Sequence, residues 1–337
     1  MIEKLRKLNI SSKWQLWYII PIVILLIAVV VFITVGLKSD KMINGINIGI
    51  DFEGGTQMTV KLGDGALGDN YAKNVKIITD IVEKGRDNAP KITYVQRISE
   101  GGTNSIRIKY KNTIDDSDAM FKVNESIYAD LYKQYGKNVT VDSDFVTFRS
   151  TSATATKGLM KDAILASLIA IALIMVYIII RFELYSGVSA VLALLHDVII
   201  MIALTIIFQI QINSSYVAAI VTIISYSINN TIVVFDRVRE RKRLYDKRSM
   251  NYNEIADDAI VMTLTRTMFT SATTVVMVVL LSILGVPSMR EFTLPILFGL
   301  VAGTFSSMFL AAPTWAAMNN WLIRYRAKKY AQYKAVK

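Results

Sequence analysis

Apolar and polar positions divide the chain unequally. Six apolar stretches, each close to the roughly twenty residues a helix needs to cross a hydrocarbon core, lie at 17–37, 159–180, 188–208, 215–235, 268–286 and 292–317. The first stands alone, a polar segment at 38–157 follows it, and the other five succeed one another closely. This layout predicts an α-helical polytopic membrane protein with six transmembrane helices and a polar domain between helices 1 and 2. The basic residues Lys4, Arg6 and Lys7 lie before the first stretch. That stretch is too long for a cleaved signal sequence and lacks a small-residue cleavage site, so it is read as a retained anchor.

Within the insert the hydrophobic period changes several times. Met58, Val60 and Leu62 alternate as in a strand, whereas Tyr71, Val75, Ile78 and Val82 recur at helical spacing. Two further alternating runs, 92–98 and 105–111, flank the turn signal Glu100-Gly101-Gly102. A second helix is expected after the cap candidates Asp115 and Asp116, with Val123, Ile127, Leu131 and Tyr135 along one face. A last strand is expected at 139–148. Strand, helix, two strands, helix, strand is the order of an α+β ferredoxin-like domain. No nucleophile, base or phosphate loop stands out in it, which favours a binding or lever role over an enzyme.

Charge then orients the chain. Basic residues gather at Arg237, Arg239, Arg241, Lys242, Arg243, Lys247 and Arg248, and again at Arg324, Arg326, Lys328, Lys329, Lys334 and Lys337. By the positive-inside rule these segments are cytoplasmic. The expected division is a cytoplasmic tail at 1–16, transmembrane helix 1 at 17–37 and an extracytoplasmic domain at 38–157. A five-helix bundle at 158–318 with a cytoplasmic loop at 236–262, and a basic cytoplasmic tail at 319–337, complete it. The net charge of +11 therefore belongs to membrane flanks, where it suits anionic lipid head groups and argues against nucleic acid. Cysteine is absent and His196 is the only histidine, which leaves neither a disulfide framework nor a Cys or His₂ metal site; no cofactor motif is present.

Several polar residues fall where membrane helices are expected. Thr222, Ser225, Tyr226 and Asn229 follow helical steps, and Asn230 adjoins them, which predicts a stripe facing protein rather than lipid. His196 and Asp197 sit near the middle of the third apolar stretch, where ionisable groups are costly and turn toward partners or a wet cavity. Arg266 opens the fifth, with Thr270, Thr273 and Thr274 beyond it. Asp197, Asn230 and Arg266 are expected at similar depth, on a shared interior surface. The competing readings are helix-to-helix hydrogen bonding for Asn229 and Asn230, snorkelling for Arg266 and a structural pair for His196 with Asp197. Gly299, Gly303, Ser307 and Ala311, spaced by four, read as a close-packing face. Upstream, Asp51-Phe52-Glu53-Gly54-Gly55-Thr56 reads as a turn or hinge, its paired glycines free to adopt positive φ.

These motifs together resemble the SecF family, the smaller subunits of the bacterial SecD–SecF protein-export complex. The resemblance rests on the Asp51–Thr56 turn, the His196-Asp197 pair, the run from Ser225-Tyr226-Ser227-Ile228-Asn229-Asn230 to Asp236-Arg237-Val238-Arg239-Glu240, and Thr265-Arg266-Thr267 with Thr270-Ser271. It covers the whole chain. It implies a non-enzymatic subunit of the bacterial cytoplasmic membrane with both termini inside. Its implied partners are a SecD-like subunit, the Sec channel, a YajC-like small membrane subunit and exported unfolded polypeptide. Work would come from a proton or sodium gradient, and the fold would be akin to resistance-nodulation-division transporters. A half-transporter of a small-molecule exporter of that class is the alternative.

Two positions depart from the family's usual Gly-Tyr-Ser-Ile-Asn-Asp: Ser225 replaces the glycine and Asn230 the aspartate, which the resemblance places in the proton path. An asparagine does not exchange protons near neutral pH. Either the partner supplies the carboxylate, or the coupling ion differs, or the residue was exchanged to freeze one state; Asp197, one helix away, is a local alternative. Arg266 matches the arginine of the family's path.

Overall fold

The computed structural model describes residues 9–38, 45–62, 70–83, 90–100, 103–111, 117–136, 145–151, 158–181, 183–245, 250–285 and 289–336. Asp115, Asp116, the Gly101-Gly102 turn, Lys4, Arg6, Lys7, Lys247, Arg248 and Lys337 lie outside them, as do residues 139–144 of the expected last strand.

Among the described residues, six helices or helix runs have the length and apolarity to cross a membrane. A 3₁₀ turn at Ser11–Lys13 and a short helix at Trp14–Trp17 lead into α1, Ile19–Lys38. The next is α4, Leu159–Arg181, whose apolar window is only 6% buried, as suits a helix whose sides meet lipid. Then come α5, Leu184–Ile207; α6, Ser214–Leu244; α7, Tyr252–Leu284; and α8, Arg290–Ser306, which runs through a π-helical segment, Ser307–Ala311, into α9, Ala312–Val336. The apolar stretches therefore mark the spans but understate them. α6 continues to Leu244 and α7 starts at Tyr252, so most of the expected loop 236–262 is helical. Charged residues carry a helix as well as apolar ones once it leaves the bilayer, and periodicity in hydropathy does not record them.

Within this helical unit α5 packs on α1, α8 and α9. At the end where the basic residues collect, Phe235, Val238, Ile255, Ala259, Ala312 and Trp315 form a buried apolar cluster. The 3₁₀ turn is tied there as well: the Ser11 backbone N–H donates to Asp257 Oδ1 at 2.8 Å.

The second compact unit comprises Asn47–Ala163 with Ile212–Ser214. Its elements are β1, Gly55–Lys61; α2, Tyr71–Glu83; β2, Lys91–Glu100; β3, Thr103–Lys111; α3, Ser117–Tyr135; and β4, Val146–Thr151. All the strand pairs are antiparallel and the sheet order is β2-β3-β1-β4. In that register Met58 lies opposite Ile108 on one side and Phe148 on the other. The alternating and helical apolar sets meet as their spacing predicts: Met58, Val60, Leu62, Ile78, Val82, Ile127 and Leu131 are all fully buried together. Tyr135 closes the cluster, its hydroxyl donating to Asn74 Oδ1 at 3.1 Å, and burial pushes its phenol up to about 12.

Candidate functional site: a buried carboxylate among membrane helices

Asp197 is wholly buried in the middle of α5. A carboxylate at such a depth needs donors on its oxygens, because desolvation alone costs several kcal/mol. Three side chains supply them. Ser227 of α6 donates its hydroxyl to Oδ2, Ser306 at the end of α8 donates to the same oxygen at 2.9 Å, and His196 Nδ1 pairs with Oδ1 at 2.9 Å. Three spans thus meet on one acidic side chain. The outer imidazole nitrogen, His196 Nε2, is buried with no partner among the described residues, and the ring lies 6.1 Å from that of Phe305.

Glycines make this approach feasible. A Cβ on Gly303 would lie 3.1 Å from Ser227 Cβ and 3.4 Å from Asp197 Oδ2, and one on Gly299 would lie 2.5 Å from Ile223 Cγ1. The small-residue stripe is therefore where α8 meets α6, as its spacing suggested. Ser306 falls one position off the four-residue step. It is buried along with Ser307, at the entry to the π segment, where the helix widens and side chains shift round the axis.

The polar run on α6 splits into two faces. Ser227 and Asn230 are buried, while Thr222, Ser225 and Asn229 are exposed. Asn230 Nδ2 has no hydrogen-bond partner among the described residues. Tyr226 bridges outward: its hydroxyl donates to Ser271 Oγ of α7 at 3.2 Å, and Thr304 Oγ1 of α8 donates to that same oxygen at 2.8 Å. Arg266, Thr270 and Thr273 on α7 are exposed, and the threonine hydroxyls turn back onto their own helix backbone. Arg266 is thus not gathered with Asp197 and Asn230 inside this chain. A helical wheel places such residues on a stripe but says nothing of which neighbour covers it. Ser227 and Ser306, the partners of Asp197, carried only the weak signal of a hydroxyl inside an apolar stretch.

The turn motif forms a second constellation. Residues Ile50–Glu53 make a short helix, ended by Gly54 at φ 71° and Gly55 at φ 113°. Both glycines use the left-handed region open to them, and a Cβ on Gly55 would stand 2.6 Å from the Tyr110 carbonyl oxygen of β3. Asp51 accepts the Ser214 backbone N–H at 3.1 Å on one oxygen and Arg149 Nη2 at 3.2 Å on the other. A short parallel bridge lies beside it: Gly49 N–H donates to Ile212 O at 2.7 Å and Ile212 N–H to Asn47 O at 2.8 Å. The motif thus holds residues 212–214 as well as turning into β1.

Comparison with known proteins gives this arrangement its class. Residues 131–321 match the family described as protein export membrane protein SecD/SecF, C-terminal, and residues 42–66 match the SecD/SecF GG motif. The chain is 33% identical to the protein translocase subunit SecF of Helicobacter pylori (strain J99) over 84% of its own length and 80% of that protein. It is 31% identical to the protein translocase subunit SecDF of Bacillus subtilis, covering 85% of this chain and 36% of the longer one. The crystal structure of SecDF from Thermus thermophilus, a translocon-associated membrane protein, superposes with a TM-score of 0.69 at 25% identity, covering 91% of this chain and 38% of that one. The chain belongs to the SecD/SecF family of protein-export membrane proteins. It is a multi-pass membrane protein with a SecDF-like fold, and its separate-chain relatives are SecF subunits.

Proposed function

We propose that this chain is an accessory subunit of the Sec export machinery. Paired with a SecD-like subunit, it uses a proton or sodium gradient to promote polypeptide translocation across the cytoplasmic membrane. The observation that carries the reading is the Asp197 cluster: one ionisable side chain joins α5, α6 and α8, so a change in its occupancy or hydrogen bonding bears on all three. A scaffold would not need it.

The exposed stripes Thr222, Ser225, Asn229 and Arg266, Thr270, Thr273 support a partner subunit, because the Asn229 amide and the Arg266 guanidinium would face acyl chains, whereas the hydroxyls beside them are met by their own helix backbone. The fused SecDF relatives supply a SecD-like candidate for that cover. Asn230, enclosed by this chain, and Arg266, open to that interface, are read as ion-path residues, with the family's missing carboxylate supplied from the partner's side. The strand order and antiparallel pairing of the small unit support a ferredoxin-like domain, read as extracytoplasmic and as the part that moves against exported chain, with Asp51, Gly54 and Gly55 at its hinge. The basic helix ends support cytoplasmic termini. The Sec channel, a YajC-like subunit and membrane lipids complete the assembly. One charge crossing the membrane yields about 2.3 kcal/mol per 100 mV, enough to bias a hinged element between two positions.

Secretion and proton uptake measured together in vesicles holding the complex test this. Asp197→Asn and Arg266→Ala should each lower gradient-dependent secretion and proton uptake while the subunits still co-purify, and Asn230→Asp should raise both if the lost carboxylate limits the rate. Undiminished gradient-dependent secretion in both of the first two variants would overturn the proposal. Recovery of a homotrimer without a SecD-like protein would favour small-molecule efflux instead.

A further inference from the structure

We propose that the basic ends of α4 and α6 and the start of α5, closed by α9, form a binding site for one phosphate-bearing anion. A cavity of about 320 Å³ lies there, lined by Arg181, Glu183, Ser186, Arg239, Lys242 and Trp315, with Ile180, Phe235 and Val238 as its apolar walls. The lining holds three cations and one carboxylate, Glu183, whose two oxygens accept from Lys242 Nζ at 2.6 and 2.7 Å. The lining therefore keeps an excess of positive charge.

Two neutral donors point to the same chemistry. Trp315 is wholly buried, yet its indole Nε1–H meets no acceptor among the described residues. A buried donor left so is costly unless something accepts from it. Ser186, also buried, sits in the first turn of α5, where Glu183 provides no side-chain cap for the leading backbone N–H groups. Guanidinium, ammonium, indole N–H, hydroxyl and an uncapped helix start all donate, and what they share as a partner is an acceptor-rich anion. The apolar walls, and the position at the end of membrane helices, suit the phosphodiester of a lipid headgroup; free phosphate offers the same oxygens. The site depends on the membrane reading of the helices but not on ion coupling or on any partner subunit.

Native mass spectrometry of the full purified chain in mild detergent, titrated with phosphatidylglycerol, reads the first source, and calorimetric titration with inorganic phosphate reads the second. One equivalent is expected, weakened about tenfold in Arg239→Gln and about a hundredfold in Arg239→Gln/Lys242→Gln, each charged hydrogen bond counting for roughly a factor of ten. Trp315→Phe removes the indole N–H together with its five-membered ring, and should weaken binding several-fold while lowering the unfolding midpoint only modestly. Lipid retention that excess phosphate leaves intact assigns the site to a headgroup; saturable phosphate binding lost in the variants assigns it to the free ion. No binding of either probe, or binding that all three variants leave unchanged, overturns the proposal. Because no gradient or partner enters the measurement, export could fail its own test while this site stands.

Discussion

The two faces of α6 carry similar residues and do different things. On one face Ser227 and Asn230 are enclosed, and Ser227 is fixed on Asp197. On the other, Thr222, Ser225 and Asn229 are exposed, and the hydroxyls of Thr222 and Ser225 donate to carbonyls one turn back on their own helix. The inner face is covered by this chain; the outer one is not. A polar residue in a membrane helix is therefore not by itself a statement about function. What distinguishes the faces is whether this chain's own helices cover them, and the exposed polar side chains of the outer face, Asn229 above all, are the stronger indication of a partner.

Substitutions sharpen that contrast. The largest effect is expected from Asp197→Ala, which strands the Ser227 and Ser306 hydroxyls and the His196 ring in a dry interior. A loss of about 3 kcal/mol, read as a lower unfolding midpoint in detergent, is expected, with Asp197→Asn losing clearly less. Equal midpoints for the wild type and Asp197→Ala would show that the cluster does not hold the helices. Next comes Gly303→Val, which forces α8 away from Ser227 and should cost about 2 kcal/mol as an overpacked contact; denaturation of the purified chain measures it. Asn230→Leu goes the other way. It removes an amide whose Nδ2 has no partner, so the isolated chain should gain up to about 1 kcal/mol, and a marked loss would reveal an acceptor that only the complex or an ion provides.

The smallest effect on the isolated chain belongs to the outer face. Asn229→Leu and Arg266→Ala should shift its stability by less than about 0.5 kcal/mol, while lowering the yield of co-purified SecD-like partner for Asn229→Leu and gradient-dependent secretion for Arg266→Ala. A large stability loss in either would mean that the outer face is closed within this chain after all, and the contrast between the faces would fall.

Much of the fold could be read directly from residue spacing. The small unit's core assembled from the positions whose periods announced it, because a strand or helix with one apolar face has few ways to bury it. The membrane spans were legible for the same reason, although their ends were not, since Arg237–Leu244 and Tyr252–Met262 extend the helices without any hydropathy signal. The paired glycines predicted positive φ and have it. Ser306 was missed because only the four-residue step through Gly299, Gly303 and Ser307 was followed, although a position three after Gly303 and seven after Gly299 lies on the same helix face.

The sequence alone determined that six segments are long and apolar enough to cross a membrane, that an α/β unit follows the first, and that ionisable side chains lie within the apolar stretches. Those properties follow from local hydropathy and period, which each stretch carries by itself. Only the tertiary structure decided that Asp197 is served by Ser227 and Ser306 while Arg266 faces outward, and that Asp51 receives the Ser214 N–H. Which donor reaches which acceptor depends on helix rotation and close approach between segments far apart in the chain, and no residue's own neighbourhood in sequence encodes that.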